Sequence, residues 1–134
     1  MPRYMLDTDT CSYIVKRSHD AILNRLQSMP IDEVCISVIT KAELLYGVDI
    51  SPRRQTDGLA VAAFLRHIAV LDFPDQAAAH YADIRADLKK RGEMIGANDL
   101  LIAAHARCLD MILVTNNVRE FERIQHLAIE NWAL

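Results

Sequence analysis

Glycine and proline are scarce, four of each in 134 residues, and no stretch is rich in either. That excludes collagen-like repeats, low-complexity linkers and a disordered chain. Long apolar runs are missing too. The longest, residues 59–65, falls far short of the ~18 residues a membrane span needs. The opening Met1-Pro2-Arg3-Tyr4 lacks the apolar stretch and small-residue cleavage site of a signal peptide. Nor is there an excess of positive charge: 15 Lys and Arg stand against 18 Asp and Glu, a formal net of −3. That argues against capture of nucleic acid by bulk electrostatics alone, while leaving room for a local basic patch. Cys11, Cys35 and Cys108 are odd in number and form no CxxC pair. Reduced thiols in the cytoplasm are the expectation, with no membrane.

What is present is enough apolar side chain, 51% of residues, for the core of one domain spanning residues 1–134. Apolar strand-like runs at 4–6, 34–38, 70–72 and 111–115, with a last one at 128–130, alternate with helical stretches. The helices are expected at about 11–17, 20–29, from Thr40 to a stop at Gly47, 59–69, from a cap at Asp75 to Arg91, and 99–109. This alternation predicts an α/β fold, with a mostly parallel central sheet of four to five strands wrapped by helices.

In such sheets ligands bind beyond the carboxyl ends of the strands. Asp7 follows the first strand, Glu43 lies early in the helix after the second, Asp99 begins the helix before the fourth, and Thr115, Asn116 and Asn117 follow that strand. Asp and Glu without a His or Cys partner are hard oxygen ligands, suited to Mg²⁺ or Mn²⁺. Each has a plainer reading. Thr40 with Glu43, and Asn117 with Glu120, match the capping box, and Asn98-Asp99 matches a helix N-cap followed by an acid. Asp7 is harder to explain away, because an acid ending a buried strand is costly unless it bonds or binds something. No G-x-S-x-G elbow, Gly-rich phosphate loop, HxH or HxxxH pair occurs. Arg53, Arg54, Lys89, Lys90 and Arg91 are the basic residues expected to hold an anionic substrate, with Thr115 and Asn116 beside the acids.

Four segments, Tyr4-Met5-Leu6-Asp7-Thr8-Asp9-Thr10-Cys11, residues 36–47, residues 95–106 and residues 113–121, together resemble the PIN-domain ribonucleases. Among these they are most similar to the VapC-type toxins of bacterial toxin–antitoxin pairs. The resemblance implies a PIN-like domain and a Mg²⁺- or Mn²⁺-dependent endoribonuclease that leaves 5′-phosphate and 3′-hydroxyl ends. It implies Asp7 and Asp99 as metal-binding carboxylates, Glu43 as a third member of the pocket, and Glu120, or Asn116 through its carbonyl, as a fourth. RNA, including tRNA, is the implied substrate; a VapB-type antitoxin and a second copy of the chain are the implied partners. Asp9 stands where the family usually has Asn, which leaves one or two metals open. Two other readings stay on the table: a PIN-like module that binds RNA or protein without catalysis, and a phosphatase, since Asp7-Thr8-Asp9-Thr10 is similar to the DxDx start of haloacid-dehalogenase-type enzymes.

Overall fold

A computed structural model describes residues 2–134. Strands Tyr4–Leu6 (β1), Val34–Ser37 (β2), Ala69–Leu71 (β3), Ile112–Val114 (β4) and Ile129–Glu130 (β5) form one sheet in the order β3-β2-β1-β4-β5. Every pairing is parallel. Parallel neighbours need crossovers, and helices supply most of them: Thr8–Lys16 (α1), Asp20–Gln27 (α2), Val38–Asp49 (α3), Arg54–His67 (α4), Ala77–Arg91 (α5), Ala97–Cys108 (α6) and the short Val118–Phe121 (α7). The α/β class and the five strands match the sequence expectation. The sheet is wholly parallel. Among the described residues no helix is long and apolar enough to cross a membrane.

Alternation of side chains along the strands splits the core in two. Met5, Cys35 and Leu113 pack on one face with Ile84 and Leu88 of α5 and Leu100 and Ile102 of α6. Tyr4, Leu6, Val34, Ile36 and Val114 pack on the other with Ile14 of α1, Ile22 of α2, Leu44 of α3 and Val61 of α4. A strand covered on both faces needs an unbroken apolar run, which is why β1 and β2 carry one. Each fully buried Leu or Ile contributes roughly 1.5–3 kcal/mol. These central strands therefore form a stiff frame for whatever projects from their ends.

Several boundaries differ from expectation, each for a local reason. Helix α1 begins at Thr8 rather than residue 11, because Asp7 caps it: its Oδ1 accepts from the Thr10 amide at 2.9 Å. Ser37, not Thr40, caps α3, its Oγ accepting from the Ile39 amide at 3.1 Å. The helix thus starts earlier, Thr40 is buried inside it, and the capping box with Glu43 does not form. Gly47 is no stop, since α3 continues to Asp49. Helix α4 begins at Arg54, and Asp75 does not cap α5, where Gln76 takes that place without a side-chain bond. Gly92 does end α5: its φ of 67° lets the Glu93 amide reach the Leu88 carbonyl at 2.9 Å.

Strands β2 and β3 lie on one side of β1, and β4 and β5 on the other. The strand order reverses between β1 and β4, and a crevice opens at the carboxyl end of such a switch. Leu6 and Val114 are in register there, so Asp7 and Thr115 leave the sheet side by side.

Candidate active site

Asp7 is only 4% exposed. The N-cap bond uses Oδ1, and the Asp7 amide is tied to the Val114 carbonyl at 3.0 Å. Burial pushes its carboxyl pKa up; hydrogen bonds, first from the Thr115 hydroxyl and then from Thr10, pull against that, and Asp9 adds repulsion. Asp7 is therefore both a cap and a costly buried acid.

Glu43 projects from the second turn of α3, and Asp99 from the first turn of α6. Asp99 has its pKa pushed up to about 7, first by burial, then by the charge of Glu120 and a hydrogen bond with it, then by Glu43 and Asp7. Four acids from four elements thus face a common space. Glu120, in α7, accepts from Asn117 Nδ2 at 2.8 Å and forms none of the Arg pairs its sequence neighbours offered. The second capping box fails too, because the Asn117 side chain makes no cap bond.

A cleft of about 190 Å³ is lined by the carboxylates of Asp7, Asp9, Glu43 and Asp99, with Thr8, Asn117 and Phe121. No basic side chain lines it. Larger cavities exist: one of about 400 Å³ beside Leu26, Phe64 and Ile68 is mainly apolar, and one of about 350 Å³ on the other side of Glu43 has Thr8, Lys16, Ser51 and Asp57 in its wall, but neither gathers four acids. Chemistry rather than size singles out the acidic cleft.

The other expected site residues are placed differently. Thr115 is fully buried; its hydroxyl accepts from the Asn117 amide at 2.9 Å and bonds the Asp7 carboxyl, so it supports the acid instead of presenting a free hydroxyl. Asn116 is exposed, with its carbonyl 3.5 Å from Asn131 Nδ2. It is the neighbouring Asn117 that lines the cleft. None of the five basic residues lines it either. Arg54 pairs with Asp49 at 3.4 Å, and Arg91 with Asp87 at 2.8 Å and Glu93 at 3.4 Å. Arg53 precedes α4, while Lys89 and Lys90 are exposed on the last turn of α5, where positive charge also suits the helix dipole. Sequence reasoning gave Thr8 no role, read Asn98 as a helix cap, and placed Asn117 after the fourth strand and in a capping box without naming it as a site residue. Their closeness in sequence to Asp7, Asp99 and Thr115 was the available signal.

The donor set suits a hard divalent cation: all ligating atoms are oxygens, and the acids raise one another's pKa with no positive side chain in the cleft to relieve them. Among the described residues no three ligating side chains converge into a ready cage. An ion on Asp7 and Asp99 would take the rest of its shell from water, as Mg²⁺ commonly does.

Residues 4–127 match the family model described as PIN domain. The chain belongs to the PIN-domain family. Within that family its relatives are VapC ribonucleases. It is 44% identical over 132 residues to Ribonuclease VapC2 of Haemophilus influenzae, covering 98% of this chain and 99% of that one. It is 40% identical to the tRNA(fMet)-specific endonuclease VapC of Salmonella typhimurium, covering 98% and 99%. Among solved structures, DNA-bound VapBC from Salmonella typhimurium matches with a TM-score of 0.92 at 40% identity, covering 98% of this chain and 99% of that one. VapBC2 from Rickettsia felis, bound to a promoter DNA fragment, matches at 0.90 and 38%, covering 96% and 98%. These relatives favour the ribonuclease over the phosphatase and the non-catalytic module.

Proposed function

We propose that residues 1–134 form one PIN domain that acts as a Mg²⁺- or Mn²⁺-dependent endoribonuclease, the toxin of a VapBC-type pair, with Asp7, Glu43, Asp99 and Glu120 as its acidic site. The observation that carries this reading is the cleft itself: acids from separate elements, gathered at the strand-order switch, without a cation among them. Burying like charges together is costly, and a divalent ion offsets the cost.

Asp7 and Asp99 are the residues to hold the ion. Bound there, it would lower the pKa of a water and offset charge on the scissile phosphate. The chain's own residues supply the rest. Glu43, held by Thr8 and Asn98, is placed to accept the proton of the attacking water. Asn117 and the Asp99 carboxyl hold Glu120 at the rim. No side-chain nucleophile is needed, in keeping with the lack of any Ser or Cys constellation. The acidic cleft must draw RNA with cations outside it, and among the described residues Lys89, Lys90 and Arg53 form no ion pair.

Relatives named tRNA(fMet)-specific endonucleases make initiator tRNA the substrate to test first, with the cytoplasm as the place of action. Structural neighbours that are VapBC assemblies make a small antitoxin the expected partner, and a homodimer the expected state. The test is cleavage of a tRNA pool with MgCl₂ or MnCl₂ against EDTA, comparing wild type with Asp99→Ala. Metal-dependent fragments with 5′-phosphate ends, absent from the variant, are expected. Equal cutting by both proteins overturns the site assignment.

A further inference from the structure

Glu43 is held by two neutral donors from two different helices. Thr8, the first residue of α1, places its hydroxyl 2.5 Å from Glu43 Oε1, across 35 positions of sequence. Asn98, on the first turn of α6, places Nδ2 3.3 Å from Glu43 Oε2. The Thr8 oxygen also lies 3.4 Å from the Thr40 hydroxyl. Thr8 has one proton, and the shorter contact, to Glu43, takes it. Thr8 on one side and Asn98 on the other fix the carboxylate between the helices that follow Asp7 and carry Asp99.

The choice of donors has a consequence. Lys or Arg in these positions would orient Glu43 equally well but would neutralise it and repel a cation. A hydroxyl and an amide orient the carboxylate without adding a positive charge beside it. We propose that Thr8 and Asn98 are positioning residues for Glu43, keeping its carboxylate aimed into the cleft. This rests on the reading of Glu43 as a member of the acidic site.

The test uses the full chain. Thr8→Val keeps the shape and removes the donor, Thr8→Ser keeps the donor, and Glu43→Gln removes the charge. With saturating Mg²⁺, Thr8→Val is expected to lower kcat for RNA cleavage about ten-fold with KM unchanged. Thr8→Ser is expected to stay within about two-fold of wild type, and Asn98→Ala to lose about three-fold. Because Thr8 acts through Glu43, Thr8→Val should slow Glu43→Gln no further. Two readouts need no turnover. Mn²⁺ affinity of Thr8→Val should stay within about two-fold of wild type, since Asp7 and Asp99 hold the ion; urea unfolding in EDTA should give Thr8 and Glu43 a coupling factor of about ten in the unfolding constant. Thr8→Ser as slow as Thr8→Val, a full ten-fold further loss on Glu43→Gln, or a coupling factor near one would each overturn the inference. Wild-type activity in Glu43→Gln would instead overturn the assignment of Glu43 beneath it.

Discussion

Replacing Asp99 by Asn should change how the metal-free protein responds to pH. An unfolded aspartyl side chain loses its proton near the ordinary value of 3.8, and Asp99 in the folded chain near 7. Between those values the folded state binds more protons than the unfolded one, so its stability falls as pH rises. Taken whole, the shift is worth roughly 4 kcal/mol at ~1.36 kcal/mol per unit. Asp99 is only half-buried, and screening by solvent cuts this to about 1–2 kcal/mol. The assay is urea unfolding in EDTA from about pH 4 to pH 8, wild type against Asp99→Asn. The two should be nearly equally stable at about pH 4, with the variant drawing ahead to about 1–2 kcal/mol by pH 8. His105, whose pKa burial lowers, titrates in both proteins and drops out of the difference. Mg²⁺ should recover the loss at pH 8 in wild type and do much less for the variant. Parallel pH profiles for the two proteins would refute the claim that Asp99 is held among uncompensated acids.

Other outcomes follow from the same contacts. Asp7→Asn should abolish metal-dependent cleavage, by at least about 100-fold, while Asp7→Ala should in addition cost about 1 kcal/mol in urea unfolding through the lost cap on α1. Leu88→Ala, at a fully buried position between α5 and the sheet, should cost about 2–5 kcal/mol by the same assay without altering Mn²⁺ affinity. Reversing charge at Lys89 and Lys90 together should raise KM for RNA several-fold and flatten its salt dependence, measured between about 50 and 200 mM salt.

The sequence carried the strands well because a doubly covered parallel strand must be apolar throughout, and Tyr4-Met5-Leu6 and Val34-Cys35-Ile36 have no other use. Asp7 was legible as a candidate for the same reason: an acid at the end of such a run stands out. Helix starts were less legible, since Ser37 and Thr40 are both good caps and only the end of β2 decides between them. The turn after β4 likewise decides that Asn117 and not Asn116 lines the cleft, and no local pattern separates two adjacent Asn. Contacts such as Thr8 to Glu43 or Asn98 to Glu43 join residues far apart in the chain and depend on how α1, α3 and α6 pack. Spacing alone held no trace of them. Spacing likewise gave no sign that Arg54 and Arg91 pair with acids on their own surface.

Mn²⁺ binding followed by electron paramagnetic resonance tests directly whether the acidic cleft holds a divalent cation. Wild type should show saturable binding that Mg²⁺ displaces, and a folded Asp7→Asn, Asp99→Asn double variant should lose it. A double variant that binds Mn²⁺ as tightly as wild type would contradict the account.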